Sequence, residues 1–548
     1  MFIHRYPIIF SHTAKAVTEM KQSGIEVAGR QEGESRDRDE AKRNRGCELI
    51  IITKNKSYRK EGKKMFPSYE EAKKYEKDYD IIPVCKEIYA DIVTPITLLR
   101  RLKEIDSKYY LLESVEGGRQ WGQYSFLGVN PLLQISCKNG VVTMKSGAMV
   151  TTEEKDAMQA LRELLERYVS PSIAGMPSFT GGLVGYFSYE MIGYAEPKLH
   201  LKESEFDDYN LMLFDKVIAY DHLKQKISVI VNYRSEMGEQ GYNAATLEIE
   251  KMVHLIQNTT PLKEEKADKA VEFTCNLSKE KYCSMVEKTK RYIREGDIFQ
   301  GVISRRFETD YEGSLINTYR VLRTTNPSPY MYFIGCDDLE IAGTSPETMV
   351  QLKNGKLTTF PVAGTRKRGE TRGLDEALEA ELLEDEKECS EHNMLVDLAR
   401  NDIGKIAEFG TVEVEEYMKI HRFSKVMHIA STVTGQIRED KDGCDTIPAL
   451  LPAGTLSGAP KFRACEIIDE LEPVARGIYG GAIGYLDFSG NIDVCIAIRT
   501  AVKKNNKVYV QAGAGIVADS IPESEFMECA NKAEAVIEAV KQASEVNG

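Results

Sequence analysis

The chain predicts an α+β fold: a large layered body with extensive antiparallel β-sheet and flanking helices. Two features of the pattern carry that expectation, and length adds a third. Short apolar runs of strand length recur from residue 109 to residue 512, and the helical stretches among them are few. Those helices do not alternate one-for-one with strands, as a parallel α/β sheet requires. At 548 residues the chain is also too long for one ordinary core, which points to two domains or one unusually large layered body.

From residue 81 to about 258 strands dominate. Residues 109–113, 124–127 and 132–137 are apolar runs divided by glycine-containing turns, and 141–144, 211–220 and 227–233 continue the series. Between them, residues 152–168 have amphipathic helical spacing, and 181–186 form a glycine-rich, tight backbone segment. Residues 257–269 are polar and of mixed charge, the composition of a connection. Beyond it, 277–295 predicts a helix with Ser278 near its start, and 297–306 leads into a strand. Strands follow at 330–334, 339–343 and 347–353, then a second long helix near 374–406. Residues 480–486, 494–500 and 507–512 predict neighbouring strands before a closing helix.

The first 64 residues differ from the rest. Residues 31–45 are crowded with charge and poor in apolar side chains, and a basic stretch follows at 54–64, so residues 1–64 predict a disordered or non-native extension. The compact protein is expected to begin near Met65, where Phe66-Pro67-Ser68 precedes a helical-looking stretch, 69–79. The organisation expected is an N-terminal part of the body over 65–258, a connection over 259–270 and a second, catalytic region over 271–548.

Charge and composition exclude several classes. A net charge of -13 argues against a nucleic-acid surface, which has to offset phosphate charge. No run of 18 apolar residues predicts a membrane span, and the N-terminus lacks the apolar core of a secretory signal. The 11 cysteines are scattered without a CxxC pair, which predicts free thiols in a reducing cytoplasm.

Two acidic helical stretches stand out. In Glu384–Arg400, Glu388 and Glu391 are three apart and share a helix face, with Leu395 and Leu398 continuing toward an apolar side. In Ser520–Ala533, Ser520 and Glu523 fit a capping box and Pro522 the first turn, which sets Glu525, Glu528 and Lys532 along one stripe. Four carboxylates facing one point call for a hard cation such as Mg²⁺. On spacing alone, two solvated helix faces are the plainer reading, because nothing in the spacing brings the helices together.

Longer motifs resolve that choice. The segment from Glu391 to Asp402, together with Pro361-Val362-Ala363-Gly364-Thr365-Arg366, Asp493-Val494-Cys495-Ile496-Ala497-Ile498-Arg499-Thr500 and Gly513-Ala514-Gly515-Ile516, resembles the chorismate-utilising enzyme family across roughly residues 277–540. A weaker match runs through Leu111-Leu112-Glu113-Ser114 and Tyr124-Ser125-Phe126. The resemblance implies the chorismate-utilising fold and chorismate as substrate. Water-adding members of the family carry a lysine near the position of Gln300, so Gln300 resembles the amine-adding branch. Members that stop at aminodeoxychorismate typically have a nucleophilic lysine where Ala363 lies, and alanine points instead to direct attack by ammonia and release of anthranilate and pyruvate. Lys367 departs from the proline usual at that position.

By the same resemblance, Mg²⁺ held by Glu388, Glu391, Glu525 and Glu528 binds the ring carboxylate, with Lys532 nearby and backbone N–H groups of Gly513, Ala514 and Gly515 assisting. Arg499 and Tyr479 would meet the enolpyruvyl carboxylate, and Thr455, Gly364 and Thr365 would line the pocket. His428 would handle the proton of the elimination step, whereas His392 is rotated about 100° from Glu391 on a helix and is read as structural. Leu112, Glu113 and Ser114 with Asn326, Pro327, Ser328, Pro329, Tyr330 and Met331 resemble a feedback site for tryptophan. No second domain carries a cysteine nucleophile turn, so a separate glutamine amidotransferase subunit is expected to supply ammonia, making a hetero-oligomer.

Overall fold

In the computed structural model, residues 65–114, 122–258, 260–262, 271–422 and 426–546 are described. The expected extension over residues 1–64, and residue 259 with residues 263–270 of the expected connection, lie outside the described residues. Two antiparallel sheets form the body. The first runs, edge to edge, through Ile81–Tyr89, Lys226–Arg234, Lys216–Asp221, Tyr124–Val129, Lys108–Glu113, Tyr330–Cys336, Leu339–Ser345, Thr500–Lys504, Lys507–Ile516, Gln300–Asp310 and Thr274–Cys275. The second runs through Val362–Lys367, Val426–Gln436, Lys356–Thr359, Thr348–Lys353, Ile492–Ile496, Ala482–Asp487, Gly182–Phe187, Tyr209–Phe214, Leu133–Lys138, Val141–Ser146 and Met149–Glu154. Strands from before residue 258 and after residue 271 thus share both sheets.

Side-chain alternation explains the layering. Tyr110, Phe126, Tyr332 and Ile341 of the first sheet pack with Val184, Met212 and Phe214 of the second, and the Tyr110 and Phe214 rings meet edge-on at 4.7 Å. The outer face of the first sheet is covered by helices Pro95–Lys103, Gly238–Gln257, Ile316–Thr325 and Pro522–Gln542, through Leu99, Ile249, Tyr319 and Val536. Helices Ala157–Leu165, Glu386–Gly404 and Gly443–Leu450 cover the second through Leu161, Val396 and Ile447. Each such fully buried aliphatic side chain contributes about 1.5–3 kcal/mol.

Several sequence expectations change here. The 211–220 run is two strands, one in each sheet, separated at Asp215. The 494–500 run likewise breaks: Ile492–Ile496 belongs to the second sheet, Thr500–Lys504 to the first, and Arg499 sits between them with φ +50. Glu347 precedes its strand rather than starting it, between Leu339–Ser345 in the first sheet and Thr348–Lys353 in the second. Period-2 apolar alternation is the same on either side of such a crossover, so the pattern does not reveal it.

Residues 181–186 are a buried strand, Gly182–Phe187. Gly185 is required there because a Cβ would stand 2.1 Å from the Asn210 carbonyl oxygen of the neighbouring strand. The 152–168 helix shortens to Ala157–Leu165, because Asp156 caps it through the Gln159 N–H and Met149–Glu154 pairs as a strand. The 374–406 helix is two, Arg372–Glu384 and Glu386–Gly404, divided at Asp385, whose carboxylate caps the second. The 69–79 stretch is helical only at Tyr69–Ala72, before turns. Ser520 does not cap Pro522–Gln542; its hydroxyl accepts from Val517 N–H at 3.1 Å, and Ile521 precedes the first turn. The described cysteines are free and mostly buried. Among the described residues no helix is long and apolar enough to cross a membrane.

Candidate active site

Two sheet crossovers build the centre of the site. The Glu347 carbonyl accepts from Ile496 N–H at 3.0 Å, the Arg499 carbonyl accepts from Thr344 N–H at 3.2 Å, and the Ser345 hydroxyl donates to the Ile496 carbonyl at 2.7 Å. The two chain segments therefore change sheets side by side, which holds Glu347 and Arg499 at the same gap. Thr455, in the short turn Gly454–Leu456, donates to Glu347 Oε1 at 2.9 Å. A cleft opens beside Glu347 and Thr455, with Pro361, Leu395 and Leu398 on its walls. Desolvation there pushes the Glu347 carboxyl up to about 7, while Thr455, Lys532 and Arg499 oppose the shift. Burial in turn holds the Arg499 guanidinium below its usual range, against the attraction of Glu347. Glu347 was not singled out from sequence. Its available signal was Pro346 beside a lone acid between two apolar runs.

His428 lies on Val426–Gln436 opposite Thr365 of Val362–Lys367. Its Nδ1 is 3.0 Å from the Gly364 carbonyl and 3.0 Å from the Thr365 hydroxyl. A carbonyl only accepts, so Nδ1 carries the hydrogen in the neutral ring and Nε2 is the basic position. Gly364 takes φ +64 at a bulge in this pairing, and a Cβ there would come within 3.3 Å of Glu388 Oε2. The Ala363-Gly364-Thr365 motif, His428 and the first acidic helix are thereby brought together. His392 is fully buried, 2.6 Å from the Ser431 hydroxyl through Nε2, and burial pushes its ring down to about 4, in keeping with a structural role.

The acidic residues of the two helices sense one another. The Glu391 carboxyl is raised by desolvation, by Glu388 and by Glu528, while Lys387 and Lys532 oppose; Glu525 is raised by desolvation and by Glu528, while Ser520, Lys532 and Lys387 oppose. Two of the four have partial partners: Arg366 stands 3.7 Å from Glu388, and Lys532 2.7 Å from Glu528. Among the described residues no three His, Cys, Asp or Glu side chains stand close enough to grip a metal ion. The donor chemistry nonetheless fits Mg²⁺, since the four side chains offer carboxylate oxygens, the hard ligands it takes.

Gly513, Ala514 and Gly515 pair with Ser304, Ile303 and Val302. The strand on their other side pairs only as far as Val510, which leaves that backbone edge to other partners, and the Gly513 carbonyl accepts from Lys532 at 3.2 Å. The Gln300 side chain packs where a Gly515 Cβ would otherwise stand, 2.5 Å from that position. Tyr479 lies against Gly513, where an added Cβ would be 2.9 Å from its hydroxyl.

Of the nine residues of the expected effector site, Leu112 and Glu113 lie on the strand paired with the one that carries Tyr330 and Met331, and Met331 pairs with Glu113. Alternation divides them, however. Glu113 and Met331 face the helix layer, where Glu113 accepts from Tyr319 at 2.6 Å, Arg323 at 3.0 Å and Ser125 at 3.1 Å. Tyr330 faces the other sheet, donating to Asp493 at 2.7 Å, and Leu112 packs on that side too. Asn326 donates to the Thr344 hydroxyl at 3.1 Å, and the Ser328 hydroxyl lies 3.5 Å from the Asn326 carbonyl. Ser114, Pro327 and Pro329 are half-buried at the ends of these segments.

Comparison with known proteins shows the family. The sequence matches the family model described as chorismate binding enzyme over residues 108–538. It is 48% identical to anthranilate synthase component 1 of Acetivibrio thermocellus over 492 residues, 88% of this chain and 99% of that protein. The corresponding protein of Aquifex aeolicus is 44% identical over 485 residues, 87% of this chain and 98% of its own length. The crystal structure of anthranilate synthase component I from Streptococcus pneumoniae superposes with a TM-score of 0.69 at 37% identity, covering 82% of this chain and 98% of that one. The menaquinone-specific isochorismate synthase of Escherichia coli, 18% identical, shares the fold at a TM-score of 0.61, over 86% of this chain and 98% of its own. With a family match across most of its length and relatives at nearly half identity, the chain belongs to the chorismate-binding enzymes and, within them, to the anthranilate synthase component 1 family.

Proposed function

We propose that this chain converts chorismate and ammonia to anthranilate and pyruvate, with ammonia supplied by a separate glutamine amidotransferase subunit, in the cytoplasm and under feedback by tryptophan. The observation that carries the reading is the meeting of Glu347, Thr455, Arg499 and Lys532 in one electrostatic neighbourhood beside the cleft. It supplies a buried guanidinium, with the Lys532 ammonium near enough to act on the same carboxyl, for a dianionic substrate, and a carboxyl that is partly protonated near neutral pH. Arg499 suits the enolpyruvyl carboxylate because its planar fork engages both oxygens, and Tyr479 adds a hydroxyl there. Mg²⁺, held by Glu388, Glu391, Glu525 and Glu528, would offset the charge of the ring carboxylate.

In the first half-reaction a C–N bond forms at C2 and the C4–O bond breaks. Protonated Glu347 gives its proton to the departing hydroxyl, which leaves as water. In the second half, His428 Nε2 takes the C2 proton while the C3–O bond breaks, and the released enolpyruvate gains a proton to become pyruvate. Ala363 offers no nucleophile, so no covalent enzyme adduct forms.

The test is incubation of the purified chain with chorismate, magnesium and excess ammonium at mildly alkaline pH. Anthranilate fluorescence with equimolar pyruvate, lost on chelation with EDTA, is the expected outcome. Accumulation of aminodeoxychorismate would overturn the role given to Ala363, and activity undiminished by EDTA would remove magnesium from the account.

A further inference from the structure

The strand Gln300–Asp310 has one fully paired edge, against Lys507–Ile516, and one interrupted edge. On the interrupted side Gly458–Ala459 pairs only with Gln300 and Gly301, and Thr274–Cys275 only with Phe307 and Glu308. In the gap between, backbone groups take other partners. Val302 N–H donates to the Ser457 carbonyl at 2.9 Å, and the Val302 carbonyl accepts from Arg476 Nη2 at 2.8 Å. Ser304 N–H and its hydroxyl donate to Glu472 Oε1 at 2.7 and 2.8 Å. Arg476 and Glu472 are paired at 2.6 Å with side chains 1% and 4% exposed, so this ion pair stands where a strand is missing.

The same pair reaches the substrate loops. Arg476 Nη1 donates to the Leu456 carbonyl at 2.5 Å, next to Thr455. Its guanidinium lies 5.7 Å from the centre of the Tyr479 ring and 4.7 Å from that of Tyr189. Through Glu472 it holds Ser304, whose hydroxyl accepts from Gln511 Nε2 at 2.8 Å, two residues before Gly513. One buried guanidinium thus touches the turn that carries Thr455, the ring of Tyr479 and the strand opposite Gly513–Gly515. Lysine has neither the number of donors nor the planar fork to make these contacts together.

We infer that Arg476, paired with Glu472, is a positioning residue that fixes Thr455, Tyr479 and the Gly513–Gly515 edge in register for chorismate without touching it. The inference rests on the chorismate reading above. Because the groups it orients bind substrate in ground and transition states alike, its loss raises KM for chorismate more than it lowers kcat.

The test uses the full chain with ammonium as nitrogen source. Arg476→Lys keeps the charge and loses the fork. Glu472→Gln with Arg476→Gln keeps a neutral pair and guards against the cost of a lone buried charge. Expected in both is a folded protein by circular dichroism, KM for chorismate raised about tenfold or more, kcat within about threefold, and KM for ammonium unchanged. In a Tyr479→Phe background the effect of Arg476→Lys is less than additive. An unchanged KM in folded variants, or a fall in active fraction with KM unchanged, would overturn the inference and leave the pair a merely structural clamp. Wild-type protein that makes no anthranilate would instead sink the chorismate reading itself.

Discussion

The Glu113 carboxylate is matched: it is held by Tyr319, Arg323 and Ser125, and Ser125 in turn lies 2.7 Å from His222 Nε2. At Glu391 and Glu525 desolvation raises the proton affinity of the carboxylates, and neighbouring carboxylates, Glu388 and Glu528 for Glu391 and Glu528 for Glu525, add to it. The contrast teaches what each region needs. A carboxylate held in this way keeps its place without a ligand, so the proposed effector would have to displace contacts that already exist. Desolvated carboxylates beside others of like charge gain from a cation, which is what the proposed magnesium site would supply.

The comparison breaks most sharply at His428, the proposed base. His428→Ala is expected to lower kcat by roughly hundred- to ten-thousand-fold while leaving the melting temperature near that of wild type, the range usual for a lost general base. A stopped assay for anthranilate checks it, and a small effect would move the proton transfer elsewhere. Glu347→Gln is expected to cost about a hundredfold in kcat. Its carboxyl, raised to about 7, donates only when protonated, so wild-type kcat at saturating ammonia falls as pH rises through about 7, and the variant lacks that limb.

Glu391→Gln sharpens the charge argument. Removing one crowded carboxylate weakens metal binding, so the magnesium concentration for half-maximal activity rises by about ten- to a hundredfold, with little change in folding. An unchanged magnesium requirement would leave the cluster a solvated acidic surface. Tyr319→Phe probes the matched network: losing one hydrogen bond worth about 1 kcal/mol is expected to shift the tryptophan concentration for half of the proposed inhibition by about fivefold. Uninhibited kcat/KM stays within about twofold, and a change there without a change in tryptophan response would contradict the separation of the regions.

Much of this was legible in the sequence. The α+β class and many strands followed from apolar runs, and the acidic helices from i,i+3 spacing, since local periodicity survives into the fold. The crossovers were not, because alternation reads the same whichever sheet a strand joins. That is why the pattern places Arg499 in a strand and does not mark Glu347. Arg476 and Glu472 were invisible for a related reason. Four residues apart and divided by Pro473, they resemble a surface pair, and only the missing strand beside Val302 explains why both are buried. The convergence of Glu113 with Met331, more than 200 residues apart, was reached through the family resemblance, because no local rule sets pairing between distant strands.

The most direct test of the central claim is to follow heavy-nitrogen ammonium into product by mass spectrometry, with chorismate, magnesium and no glutaminase present. The account predicts anthranilate carrying the heavy nitrogen and an equal amount of pyruvate. Unlabelled isochorismate or salicylate, or labelled aminodeoxychorismate that persists without pyruvate, would contradict it.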